Sequence, residues 1–141
     1  MRKIGKVVVV AGLVACGLIG AQPANAAANP YSPEGVCGDG YTRVDSHPLK
    51  SLGQTHANIY LLYNSASGYN CVVTLRTETT GTRWLAASLA IKDGGSDSDR
   101  GEYKHYAGPV RLYAKGKCVK WGGAFDTDPG ISYSSPWEHC G

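Results

Sequence analysis

Four cysteines spaced along the chain limit its fold more than any other feature of the sequence. They are Cys37, Cys71, Cys118 and Cys140. An even number of cysteines in an exported chain predicts two disulfides. A zinc site built from cysteines would need close pairs such as Cys-x-x-Cys, and the chain has none. Three pairings are open, and we prefer Cys37–Cys71 with Cys118–Cys140, because each closes a modest loop and ties one half of the domain.

The N-terminal segment gives the reason to expect export. Three basic residues within the first six positions precede the apolar run Val7–Ile19, which is too short to cross a bilayer comfortably as a helix. The small residues Ala24 and Ala26 then flank Asn25, as at a signal-peptidase cleavage site. Residues 1–26 are therefore predicted to be a secretory signal peptide, with cleavage after Ala26.

Cys16 leaves one competing interpretation of this leader open. The run Leu13–Cys16 also fits a bacterial lipoprotein signal, in which the cysteine is lipidated and becomes the new N-terminus. Against this, the apolar run continues to Ile19 and a conventional cleavage site follows. We expect the conventional site to be used, which an intact-mass measurement would test.

The remainder of the chain is predicted to be a single domain. Residues 27–36 read as an extended N-terminal lead-in, and residues 37–141 as one β domain. Three of the 14 Lys and Arg lie in the leader, which leaves 11 against 11 Asp and Glu. A nearly neutral domain offers no basic surface for nucleic acid. We expect no nucleic-acid partner, no membrane association after signal cleavage and no cofactor, and the sequence leaves the oligomeric state open.

Short runs of strand-forming residues separated by turns predict the fold class. With about seven such runs and no convincing helix, we expect an all-β fold, a small disulfide-stapled antiparallel sandwich or barrel. The segment Ala107–Gly123 reads as a hairpin around which the other strands are arranged. The predicted strands are Tyr41–Asp45, the two arms of a hairpin over Asn58–Arg76, Trp84–Ile91, Glu102–Tyr106, Pro109–Ala114 and Lys117–Trp121.

Polar residues with catalytic or metal-binding chemistry are present but show no motif. Asp45, Ser46 and His47 are consecutive, whereas a hydrolase triad is assembled from separated segments. The histidines lack the i, i+4 spacing of a metalloprotease helix, and the aspartates of two glycine-containing loops do not follow the EF-hand order. We therefore predict no catalytic residue and no metal site, although a histidine such as His105 or His139 stays open as a ligand.

Aromatic residues suggest one binding chemistry. Tryptophan and tyrosine side chains on a neutral surface can stack on sugar rings, and tyrosine adds a polar tip. The alternative is that they fill a β core. The candidates for an exposed, glycan-stacking face are Tyr60, Tyr103, Tyr106 and Tyr133.

Several blocks of the chain, which include all four cysteines of the domain, form a distinctive set. They are Asn29–Tyr31 leading into Val36–Gly38, Tyr60–Ser65 with Asn70–Leu75, Tyr106–Val110, Gly116–Gly123 and Ser135–Gly141. These blocks resemble the spore-associated protein A family, small exported proteins of filamentous spore-forming bacteria. The resemblance implies an exported, disulfide-stapled β domain associated with spores and aerial growth, and it carries over no catalytic residues.

These observations favour a secreted structural or interaction protein of the spore or cell surface that is not an enzyme. Its partners would be spore-surface or cell-wall components. A glycan-binding module is the first alternative. The second is a secreted protease inhibitor, since small disulfide-tied β domains carry rigid loops, and the turn-rich segment Asp126–Ser134 would then be the reactive loop.

Overall fold

In the computed structural model, the part of the chain that is described comprises residues 27–126 and 130–141. The predicted signal peptide and the alternative at Cys16 lie outside it. Alternating side chains and frequent turns give eight strands and one short helix. The elements are α1 (Pro33–Cys37), β1 (Tyr41–Ser51), β2 (Gln54–Asn64), β3 (Tyr69–Arg76), β4 (Arg83–Ile91), β5 (Ser96–Tyr103), β6 (Tyr106–Tyr113), β7 (Val119–Phe125) and β8 (Ile131–Ser134).

The strands form two four-stranded antiparallel sheets. Sheet one has the order β1-β2-β3-β6, and sheet two has the order β5-β4-β7-β8. The predicted all-β class is confirmed, with eight strands where the sequence indicated about seven. Because two separate sheets pack face to face, the architecture is the sandwich rather than the barrel. No helix in the described residues has the length and hydrophobicity needed to span a membrane.

The main hydrophobic core lies between the two sheets. Sheet one contributes residues such as Ile59, Leu61 and Val72, and sheet two contributes residues such as Leu85 and Trp121, all at most 1% exposed. These side chains alternate with outward-facing residues along each strand, as the period of two requires. The interface between the sheets therefore supplies most of the apolar burial that stabilises the domain.

A second, smaller cluster covers the outer face of sheet one. Cys37 of α1 is bonded to Cys71 of β3, and Leu62, Val73 and Leu75 are buried around them. The guanidinium of Arg111 donates hydrogen bonds to the Cys37 carbonyl oxygen at 2.8 and 3.0 Å. The helix is thus fixed by a covalent bond, by apolar contacts and by a charged donor at its C-terminal end.

The lead-in predicted to be extended differs from the structure in its last residues. Ser32 caps α1, because its hydroxyl accepts a hydrogen bond from the Gly35 amide at 3.0 Å. Pro33 begins the helix, where its fixed φ angle and missing N–H are tolerated. Gly38 ends it with a φ of 108°. A helix of five residues carries too little periodicity to be recognised in the sequence.

The predicted hairpin over Ala107–Gly123 is wrong. Its first arm, β6, pairs with β3 in sheet one, whereas its second arm, β7, pairs with β4 and β8 in sheet two. The two arms are therefore joined by a connection that crosses from one sheet to the other. Both arms are rich in strand-forming residues, and a glycine lies between them, as in a hairpin. The apolar residues of β6 and of β7 nevertheless face the same core from opposite sheets.

The second disulfide closes the C-terminal end of the domain. Cys118, at the start of β7, is bonded to Cys140. Backbone hydrogen bonds in both directions between Val119 and Glu138, of 2.8 and 3.0 Å, hold the terminal segment beside the same strand. The C-terminal segment is consequently held against the start of β7 by one isolated bridge and one disulfide.

Candidate functional site

The four tyrosines proposed from the sequence do not form one surface. Tyr60 and Tyr106 pack against the cluster on the outer face of sheet one, whereas Tyr103 and Tyr133 pack against the core between the sheets. All four are half-buried. The structure therefore divides the four between two clusters, with Tyr103 and Tyr133 on the opposite edge strands of sheet two, and it places part of each ring in packing contacts.

Tyr60 and Tyr106 make their contacts on the outer face of sheet one. The Arg43 guanidinium lies over the Tyr60 ring, 4.5 Å from its centroid. Tyr106 contacts the ring of Tyr31 edge-on, with 5.1 Å between centroids. A cation over an aromatic face and an edge-on aromatic pair are both favourable packing arrangements. These contacts stabilise the outer cluster and occupy ring faces that a sugar would need.

Tyr103 is held by a contact of its hydroxyl group, and Tyr133 is held by a contact of its ring. The Tyr103 hydroxyl donates a hydrogen bond to Asp99, and this bond together with burial raises the pKa of Tyr103. The Tyr133 ring stacks on His47, 3.6 Å between centroids. Burial, with a contribution from the negative charges of Glu138 and Asp45, raises the pKa of Tyr133. Both phenols are therefore protonated at neutral pH.

The more exposed tyrosines of the outer face lie in a different place. Tyr69 and Tyr113 are 40% and 54% exposed, and they are direct partners on β3 and β6. Tyr41 and Asn64 continue the same line across β1 and β2. We call Tyr41, Asn64, Tyr69 and Tyr113 the tyrosine row, since it crosses all four strands of sheet one. The Tyr69 and Tyr113 rings meet edge-on, with 5.8 Å between centroids.

The position of Tyr69 in this row follows from the sequence pattern around a turn, although amino-acid composition alone does not reveal it. Gly68 has a φ of 79° and closes the hairpin between β2 and β3. Counting from that turn places Tyr69 on the same face as Cys71, which is the outer face. Tyr113 could not be placed in this way, because its partner strand is set by tertiary pairing.

A cleft of about 260 Å³ opens beside the C-terminus. Tyr63 and Asn70, which are partners on β2 and β3, line its floor together with Ala114. His139 and Gly141 of the terminal segment line its other side. The cleft is small and mainly apolar, and His139 is its one titratable side chain besides the phenol of Tyr63.

His139 also belongs to the one group of three side chains in the described residues whose atoms are close enough to share a metal ion. Its Nε2 lies 2.9 Å from Asp45 Oδ2 and 3.8 Å from Glu138 Oε1. The three ligand atoms lie within 4.8 Å of one another. We call these three residues the terminal cluster. Sequence analysis left His139 open as a ligand but gave no reason to join it to Asp45, 94 positions away.

The terminal cluster has part of the chemistry of a hydrolase site. A carboxylate bonded to an imidazole can orient the ring and stabilise its protonated form. Within residues 27–126 and 130–141, no serine or threonine hydroxyl is hydrogen-bonded to His139. Of the consecutive Asp45, Ser46 and His47, only Asp45 contacts another group with catalytic chemistry.

The remaining candidates from the sequence are dispersed. His56 stacks on Phe125, and His105 packs against Tyr31. Asp99 accepts a hydrogen bond from the Gly108 amide, and Asp126 pairs with Arg83 at 3.5 Å. The proposed inhibitory loop Asp126–Ser134 contains residues 127–129, which lie outside the described part of the chain.

Comparison with known proteins supports the resemblance found in the sequence blocks. The chain is 40% identical over 145 aligned positions to spore-associated protein A of Streptomyces coelicolor. The alignment covers 100% of this chain and 90% of that protein. No family model matches the chain, and no solved structure matches it. The similarity thus extends over the whole chain.

Proposed function

This chain belongs to the spore-associated protein A family, and we propose that it acts outside the cell, on the spore or cell surface, as a structural or interaction protein without catalytic activity. The observation that carries the proposal is the similarity to spore-associated protein A over the full length of the chain. Spore-surface or cell-wall components would be its partners. The arrangement of the ends of the described chain supports a role that requires resistance to proteolysis.

Both ends of the described chain are tied to the sandwich. At the N-terminal end, the Asn29 side-chain amide donates to the carbonyl oxygens of Arg76 at 3.0 Å and His105 at 2.7 Å. The Thr79 amide donates to the Ala27 carbonyl at 3.0 Å. At the other end, Cys140 is covalently bonded to Cys118. Because free termini are preferred sites of proteolysis, tied ends favour persistence outside the cell.

Fractionation of a sporulating culture tests the proposed location. We expect peptides of this protein to remain with spores after mild washing, when they are quantified by mass spectrometry in washed spores and in culture fluid. The intact mass of the recovered protein would also show whether it begins near Ala27. Peptides confined to the culture fluid would contradict the association with a surface.

Glycan binding is a second candidate, favoured by the exposure of Tyr69 and Tyr113. Their side-chain rings offer apolar area on a sheet face where the flanking residues are partly polar. Such rings stack on the apolar faces of sugars. This candidate replaces the four tyrosines chosen from the sequence with the tyrosine row, because Tyr69 and Tyr113 are more exposed than any of those four.

The double substitution Tyr69→Ser and Tyr113→Ser is expected to weaken binding to isolated cell walls at least about tenfold, because two ring contacts are lost. A sedimentation assay with purified protein measures this. Tyr31→Ser is the matched control, since Tyr31 is 48% exposed but lies outside the row. Equal binding by the wild type and both variants would exclude the tyrosine row as a glycan site.

A further inference from the structure

We propose that the terminal cluster, Asp45, Glu138 and His139, is a binding site for a divalent transition-metal ion, with zinc as the ion to test. The site joins β1 of sheet one to the terminal segment that is bonded to β7 of sheet two. Metal binding would thus add a third link to a domain that already has two disulfides. The inference is independent of the proposed surface function.

The distances in the terminal cluster are close to those of a zinc site. Zinc binds nitrogen and carboxylate oxygen at about 2.0–2.2 Å in tetrahedral geometry, so neighbouring ligand atoms lie about 3.3 Å apart. Here the His139 nitrogen lies 2.9 Å from one carboxylate oxygen and 3.8 Å from the other. These two values bracket the expected separation, and side-chain rotation would draw together the three ligand atoms, which lie within 4.8 Å of one another.

The charges in the terminal cluster are unbalanced without a cation. Asp45 and Glu138 direct carboxylate oxygens toward the same imidazole nitrogen. In the described part of the chain, neither carboxylate forms an ion pair with a lysine or arginine. A divalent ion between the two carboxylates would balance their negative charge.

The ligands are also held in place by groups around them. The indole N–H of Trp121 donates to Glu138 Oε1 at 2.8 Å, and Trp121 is 1% exposed. Outer hydrogen bonds of this kind orient metal ligands and strengthen binding. Glu138 is fixed by its backbone pairing with Val119, and His139 precedes the disulfide-bonded Cys140. The site is therefore assembled before a metal arrives, which lowers the entropic cost of binding.

The donor set indicates the class of ion. One imidazole nitrogen and two carboxylate oxygens suit zinc and neighbouring transition metals, whereas calcium takes six to eight oxygen ligands. Three side chains leave a fourth position of a tetrahedral ion for water or an external ligand.

Isothermal titration of the purified, oxidised, untagged protein with zinc chloride tests the site. We expect saturable binding of one zinc ion per chain. His139→Ala and Asp45→Asn should each weaken this binding at least about tenfold, since the first removes a ligand atom and the second removes the negative charge of a ligand. Asp45→Asn preserves the size of the side chain, so its loss of binding cannot be attributed to misfolding. His56→Ala is the control for histidines outside the cluster.

Two further readouts separate a metal site from an ion pair. Zinc should raise the thermal midpoint of the wild type, and a chelator should reverse the rise. Zinc-induced NMR shifts should be concentrated at residues 45 and 138–139. Absence of saturable binding in the wild type, or equal zinc affinity in the wild type and both cluster variants, would overturn the proposal.

Discussion

Replacement of Arg76 by methionine is expected to lower the free energy of unfolding by about 3–5 kcal/mol. The Arg76 side chain is 0% exposed. Its Nη1 donates to the carbonyl oxygens of Gly81, Tyr103 and Lys104 at 2.7, 3.2 and 2.9 Å. Methionine would fill much of the same space but leave these carbonyl groups without a donor, at a cost of about 1–3 kcal/mol for a buried polar group.

The position of Arg76 explains why so much depends on it. Its Nη2 donates to the Thr80 carbonyl at 3.0 Å and pairs with Glu78 at 3.3 Å. One guanidinium therefore organises both the connection between β3 and β4 and the turn between β5 and β6. The same residue's carbonyl oxygen accepts the hydrogen bond from Asn29 that ties the N-terminal segment.

Arg43→Met is the matched control for this substitution. Arg43 pairs with Glu34 at 3.1 Å, but both side chains are more than 40% exposed. Arg43 also lies over the Tyr60 ring. Because an exposed ion pair contributes about 0–1 kcal/mol and an exposed cation–π contact about 0.5–1 kcal/mol, this variant should lose much less stability than Arg76→Met. Urea unfolding followed by tryptophan fluorescence, to which the buried Trp121 contributes, compares the two. Equal unfolding midpoints for the two variants would show that the buried network does not stabilise the domain.

Removal of the Cys37–Cys71 disulfide by a double alanine substitution is expected to cost about 3–4 kcal/mol. The bond joins positions 34 residues apart, and its main effect in the chain-entropy model is to restrict the unfolded state. It also fixes α1 on the outer face of sheet one, where few other contacts hold a five-residue helix. Small domains are commonly stable by only about 5–15 kcal/mol, so the loss is a large share of the total.

Thermal unfolding and limited proteolysis measure this loss. The variant should unfold at a lower temperature and be cleaved first near the N-terminal segment, because α1 is no longer tied. The protein with Cys118 and Cys140 replaced is the comparison, and its first cleavage should occur near the C-terminus instead. A variant without Cys37–Cys71 that kept the wild-type midpoint and cleavage pattern would refute the stabilising role of this bond.

The fold class could be predicted because local patterns determine it. The hairpin of β2 and β3 was recognisable from its apolar strands and from the loop that ends at Gly68. The alternation of Leu85, Ala87, Leu89 and Ile91 correctly indicated a strand rather than a helix. Each of these features depends on residues that are close in sequence, where strand period and turn chemistry are sufficient.

Features that depend on position within the sheets could not be predicted. The segment Ser96–Tyr103 is polar, and its first half was read as a loop, but it forms β5 at the edge of sheet two, where polar side chains face solvent. The first strand was expected to end at Asp45, but β1 continues through Pro48 because an edge strand tolerates proline.

The glycines of β7 show the same dependence on tertiary structure. The predicted strand Lys117–Trp121 ends before Gly122 and Gly123, but both glycines lie inside β7. A Cβ atom at Gly123 would lie 2.7 Å from the Ala86 carbonyl oxygen and 2.9 Å from Ile59 Cγ1. The absence of a side chain is required by the close approach of the two sheets, and this is invisible in the sequence of β7 alone.

The candidate sites were less predictable than the fold. The terminal cluster joins Asp45 of β1, in sheet one, to His139 of the C-terminal segment, which is hydrogen-bonded to β7 of sheet two. The tyrosine row requires the register of four strands, one of which, β6, was assigned to the wrong partner. A site assembled from distant segments depends on which strands pair. The sequence predicts pairing only between strands that are close along the chain.

Measuring the proportion of this protein that remains on washed spores tests its proposed surface role most directly. The account predicts that most of the oxidised protein is recovered with the spores after mild washing, while the variant without Cys37–Cys71 is depleted or degraded. Recovery of the intact, oxidised wild-type protein from the culture fluid alone, with none on the spores, would contradict the account.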